Sequence, residues 1–184
     1  MKRKYLFLVA ISGLIIAVDQ VTKIAVHTSL RLGESLTVIP HFFNLVYVRN
    51  QGAAFGFLAN SHPAFREIFF LSMPPLALIF ILVLLRGVED KDIRQITALS
   101  SIFGGAIGNY IDRLYFRYVV DFLDFYITVP AVKFNFGGKE YEYFGRTYNW
   151  PAFNLADSAI VIGVLFLLIV MIQEKSKSAK AVTA

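Results

Sequence analysis

The chain has 184 residues, 57% hydrophobic and only 17% charged, with a mean hydropathy of +0.60, where a soluble domain carries about 25% charge. The apolar excess lies in long runs, so a bilayer is the solvent. The formal charge of +5 sits mostly at the chain ends and in one short loop, a topology signal and not a nucleic-acid stripe; with no cysteine, disulfides, thiol nucleophiles and cysteine metal sites are excluded.

The N-terminus begins Lys2, Arg3, Lys4 and runs into apolar sequence. That run is too long for a signal-peptide core and has no A-x-A cleavage site, so it is read as a retained first span. Four stretches can cross about 30 Å of hydrocarbon as helices: residues 5–26, 67–85, 93–112 and 152–172. Pro74 and Pro75 predict a kink in the second. Gly104 and Gly108 in the third permit close helix contact. Lys2, Arg3, Lys4, Arg86, Lys91, Arg94, Lys175, Lys177 and Lys180 predict both termini and the short 86–92 loop on the cytoplasmic side.

Segments 27–66 and 113–151 then lie outside. Residues 36–48 are β-branched and aromatic, as short strands are. Val132-Lys-Phe-Asn-Phe136, Gly137-Gly138 and Lys139-Glu-Tyr-Glu-Tyr143 predict a hairpin, alternating on both sides of a Gly-Gly turn. Its apolar face is expected to rest on neighbouring strands or the lipid interface and to rim the active-site mouth. The tail 173–184 is expected to lack regular structure. The fold expected is a single α-helical membrane domain over 1–184, four spans with a small β-cradle and a hairpin insertion outside.

Depth singles out the polar residues. Asp19 lies near the outer end of span one, Asn109, Asp112 and Arg113 at that of span three, and Asn154 and Asp157 in the first two turns of span four. An ionisable residue inside a span costs about 2.5–3.5 kcal/mol and suggests function. Asp121 and Asp124 follow span three among large apolar residues, which raise a carboxyl pKa; the alternative for both is a strand-edge charge facing water. Two carboxylates sharing a proton are what aspartic proteolysis requires. Asp121 and Asp157 are the favoured pair, with Asp19, Asp112 and Asp124 as competitors. Asp19 has an alternative as an i, i+4 ion pair with Lys23, Arg113 as a snorkelling interfacial cation, and Asn50 as a turn residue. Asp112 is preferred in a structural role. His27, His41 and His62 are scattered without H-E-x-x-H, which disfavours a zinc protease. A non-enzymatic transporter or assembly factor with a polar pocket is the competing class.

Five pieces carry a resemblance: Asp19-Gln-Val-Thr-Lys23, Arg49-Asn-Gln-Gly-Ala-Ala-Phe-Gly56, Gly105-Ala-Ile-Gly-Asn-Tyr-Ile-Asp-Arg113, Val119-Val-Asp-Phe122 and Pro151-Ala-Phe-Asn-Leu-Ala-Asp-Ser158. In this order they resemble the bacterial lipoprotein signal peptidases, signal peptidase II. The resemblance implies an inner-membrane aspartyl endopeptidase that cleaves prolipoproteins before a diacylglyceryl-modified cysteine near the outer face. Its catalytic residues would be Asp121 and Asp157, supported by Asp19, Asn50, Asn109, Arg113 and Asn154. It implies no metal or cofactor, partners among lipidated prolipoproteins and membrane lipids, and inhibition by globomycin-type peptides. One departure is the stretch 128–150, longer than the family pattern leads one to expect.

Overall fold

The computed structural model describes residues 2–52 and 61–182; the 53–56 part of the motif beginning at Arg49 lies outside them. Four helices form: α1 (Arg3–Ser29), α2 (Pro63–Gly87), α3 (Ile93–Phe116) and α4 (Leu155–Val182). α1, α2 and the Leu155–Lys175 part of α4 are long and apolar enough to cross a membrane. α3 is not among them, because it is the shared packing partner and carries Asn109, Asp112 and Arg113 on its inward-facing turns.

α3 packs against α1, α2 and α4, and glycine makes the closest approaches possible. A methyl group on Gly104 would meet the Ser12 backbone at 2.8 Å, and one on Gly108 would meet Asp19 Oδ2 at 2.7 Å. Lys4 Nζ donates to the Arg86 and Val88 carbonyls at 2.8 and 2.7 Å, so the start of α1 meets the end of α2. Arg94 Nη1 donates to Gln173 Oε1 and Gln95 Nε2 to Glu174, so the start of α3 meets the later turns of α4. The basic segments expected on one side therefore share one end of the bundle.

The opposite end carries a four-stranded sheet in the order β1 (Ser35–Ile39), β2 (Phe43–Asn50), β3 (Val119–Val129), β6 (Arg146–Asn149). β2 and β3 are antiparallel, with a bulge between Leu45 and Val48, beyond which Val48 opposes Asp121 and Asn50 opposes Val119. A bulge re-aims the side chains that follow it. Here Asn50 and Asp121 become diagonal neighbours on one face.

α2 runs as one helix that contains Pro74 and Pro75. Two expectations need correction. α4 begins at Leu155, later than expected, because Asn154 caps it: Asp157 N–H donates to Asn154 Oδ1 at 2.9 Å and Asn154 N–H donates to Asp157 Oδ2 at 3.3 Å. This reciprocal pair is a capping box. The tail, in turn, continues α4 to Val182.

β4 (Val132–Phe136) and β5 (Lys139–Tyr143) form the expected hairpin, with Gly137 and Gly138 at φ +61° and +77°, both positive as a type I′ turn demands. Among the described residues, these strands pair only with each other. Phe134 and Phe136 remain 53% and 75% exposed, so the apolar face does not rest on the cradle.

Candidate active site

The sheet and the adjoining ends of α3 and α4 enclose a cavity of about 840 Å³, lined in part by Asn50, Asn109, Arg113, Asp121, Asp157 and Phe153. Asp121 reaches it from the buried half of β3. Phe153 forms a bridge to Leu123, its carbonyl accepting from the Phe122 and Leu123 N–H groups. That pairing delivers Asn154, and with it the start of α4, beside Asp121.

Asn154 joins the two carboxylates. Its Nδ2 donates to Asp121 Oδ1 at 2.7 Å, while its backbone N–H and Oδ1 are the capping partners of Asp157. Each aspartate has a second amide of its own. Asn50 Nδ2 donates to Asp121 Oδ2 at 2.9 Å, and Asn109 Nδ2 donates to Asp157 Oδ1 at 2.7 Å. Asn50 also behaves as the turn residue expected, its Oδ1 accepting from Gly52 N–H at 2.9 Å. Arg113 faces Asp157, Asp121 and Asp112 electrostatically. Its hydrogen bonds go to the carbonyls of Asn109 and Gly52 at 3.4 and 3.3 Å, and its guanidinium lies 4.9 Å from the centre of the Phe70 ring. The Asp121 carboxyl is pushed up to about 7, first by burial and then by the charge of Asp157, against hydrogen bonds from Asn50 and Asn154 and the charge of Lys23.

The competing aspartates fall elsewhere. Asp124 lies three residues from Asp121 on β3, hence on the other face, where Asn44 Nδ2 donates to it at 3.0 Å. Asp19 and Asp112 sit behind the cavity wall and share Lys23, at 2.9 and 3.2 Å. The alternative reading of Asp19 as an ion pair with Lys23 describes its contact, and Asp112 joins the same ion-pair cluster. Among the described residues, no hairpin side chain lines the cavity. Sequence reasoning missed Trp150, Phe153 and Ile160–Ile162 as cavity lining, since nothing distinguishes an apolar residue facing a cavity from one facing lipid. It also missed the partners of Lys23 on α3, although the Asp19–Lys23 spacing pointed to half of that cluster.

Comparison with known proteins gives a consistent picture. A family model described as signal peptidase (SPase) II matches residues 11–173. The lipoprotein signal peptidase of Syntrophus aciditrophicus is 42% identical over 179 residues, covering 97% of this chain and 100% of the relative. That of Syntrophotalea carbinolica is 43% identical over 166 residues, covering 90% and 91%. A solved bacterial membrane enzyme superposes with a TM-score of 0.74 at 32% identity, covering 92% of this chain and 90% of the other.

Proposed function

Because the chain belongs to the signal peptidase II family, we propose that it removes signal peptides from prolipoproteins with Asp121 and Asp157 as an aspartic pair. The observation that carries this reading is the double hold of Asn154 on both carboxylates at the wall of one cavity.

A carboxyl pushed up to about 7 keeps a proton through much of the neutral range. Asp121 therefore takes the acid's role and hydrogen-bonds the scissile carbonyl oxygen. Asp157 takes a proton from water as that water's oxygen attacks the carbonyl carbon. The C–N bond then breaks as the leaving amine receives a proton from the pair, which returns to its singly protonated form. Asn50, Asn109 and Asn154 fix the carboxylates, Arg113 supplies positive charge beside the pair, and Asp19 supports the wall from behind.

The chain acts as one membrane domain in the bacterial inner membrane, with α3 as the fourth span. Both termini lie on the cytoplasmic side by the positive-inside rule, and the site lies near the outer face. Val161 and Ile162 line the cavity yet are 57% and 64% exposed, so that wall of α4 adjoins lipid. A diacylglyceryl-modified substrate resident in the bilayer reaches the carboxylates sideways through it, and membrane lipids and globomycin-type peptides are further ligands for the same cavity.

The test is cleavage of a lipidated prolipoprotein by the purified protein in a bilayer, with the product sequenced by mass spectrometry. The expected product begins at the modified cysteine. Binding without cleavage, or equal cleavage of precursor lacking the lipid, would reject the reading.

A further inference from the structure

Lys23 is a buried cation that the proposed chemistry does not use. It and its partners Asp19 and Asp112 are 2%, 0% and 1% exposed. A lysine ammonium has three hydrogens and no acceptor, and three partners surround it: Asp19 Oδ2 at 2.9 Å, Asp112 Oδ2 at 3.2 Å and Asn109 Oδ1 at 2.9 Å.

Each of the three partners leads to the proposed site. Asn109 turns its other end to Asp157. Asp112 Oδ2 accepts from the backbone N–H of Val120 at 3.0 Å, the residue immediately before Asp121. Asp19 Oδ1 accepts from the backbone N–H of Ala156 at 2.9 Å, the residue immediately before Asp157. Gln20 Nε2 closes the cluster, donating to Asp112 Oδ1 at 3.0 Å and to Asp19 Oδ2 at 3.2 Å.

We infer that Lys23 is a positioning residue for the reaction, which orients Asn109 toward Asp157 and, through Asp112 and Asp19, fixes the backbone on which Asp121 and Asp157 stand. The inference rests on the Asp121–Asp157 reading above. Its physical basis is the two-faced amide of Asn109. An ammonium can only donate and an ionised carboxylate can only accept, so with Lys23 on one side and Asp157 on the other the amide has one satisfactory orientation. A methylene chain at position 23 removes that constraint and leaves Asp19 and Asp112 as two neighbouring buried acids. The charge acts as well: among the groups around Asp121, Lys23 favours the ionised carboxylate and Asp157 opposes it, while Arg113 faces both aspartates and Asp112.

The experiment measures kcat, KM and the pH–rate profile on lipidated prolipoprotein for Lys23→Met, Asn109→Ala and the double variant, with Asp157→Asn alongside. Lys23→Met is expected to lower kcat on the order of 100-fold, as a small misplacement of reacting groups does, with KM little changed. Its alkaline limb is expected at higher pH, because the cation that favours ionised Asp121 is gone. The double variant is expected to be no slower than the worse single variant, the sign of two residues acting through one contact. If Lys23→Met does not fold, Lys23→Met/Asp112→Asn removes a base together with an acid, and the cycle with Asn109→Ala is run in that background. Losses that multiply, or an unmoved alkaline limb in Lys23→Met, would overturn the positioning role while an inactive Asp157→Asn leaves the aspartic pair standing. An Asp157→Asn protein that still cleaves would instead overturn the pair.

Discussion

At the scale of single residues, Asp121 sets the pH behaviour. Its carboxyl is raised from 3.8 to about 7 because burial and Asp157 disfavour its charge more than Asn50, Asn154 and Lys23 favour it. A raised folded-state value means that the folded protein holds the proton more tightly than the unfolded chain. The stabilisation from that proton is full below 3.8 and is lost as the pH rises through about 7. The wild type should therefore lose stability with rising pH across that window relative to Asp121→Asn, in thermal unfolding followed in detergent. Cleavage by the wild type should fall above pH about 7 as the shared proton leaves. A rate that climbs steadily to pH 9, or an identical stability slope in both proteins, would contradict the assignment.

At the scale of elements, the hairpin and the start of α4 differ in what they do for the site. Among the described residues, β4 and β5 pair only with each other and none of their side chains lines the cavity. Replacing residues 132–143 by a short Gly/Ser linker should leave kcat within about twofold, since changes away from packed or bonded groups are near neutral. A large fall in kcat would mean that the hairpin reaches the chemistry. This hairpin was fully legible in the sequence, because period-two alternation and a Gly-Gly turn are local signals. So were the four long helices, of which α1, α2 and part of α4 are long and apolar enough to cross a membrane. The start of α4 was misjudged because Ala152 and Phe153 continue its apolar run, whereas they belong to the segment that bridges β3. Asn-Leu-Ala-Asp at 154–157 has capping-box spacing, but a polar residue in a span draws attention to depth before it suggests a cap. The hold of Lys23 on α3 was not legible at all. Only the packing of α1 against α3, made close by Gly108, brings residues 86 positions apart into contact.

At the scale of the whole molecule, the chain divides its labour between two ends. One end gathers the basic segments and ties the helices together through Lys4, Arg94 and Gln95. The other gathers the carboxylates, the amides and the sheet around one cavity whose α4 wall faces outward. This separation accounts for the apolar character of α1, α2 and α4 alongside a more polar α3, which packs against all three, while both α3 and the start of α4 reach the site. The reaction depends on which carboxylates do the chemistry. The direct measurement is the rate of lipidated prolipoprotein cleavage by Asp121→Asn, Asp157→Asn and Asp124→Asn, each purified and matched for folding by thermal unfolding. An amide keeps the shape of the acid but cannot cycle a proton, so Asp121→Asn and Asp157→Asn should each lose at least about 1,000-fold, within the range for removing an essential acid or base. Asp124→Asn, on the opposite face of β3, should stay close to wild type; substantial cleavage by either of the first two, or equal loss in all three, would contradict the pair.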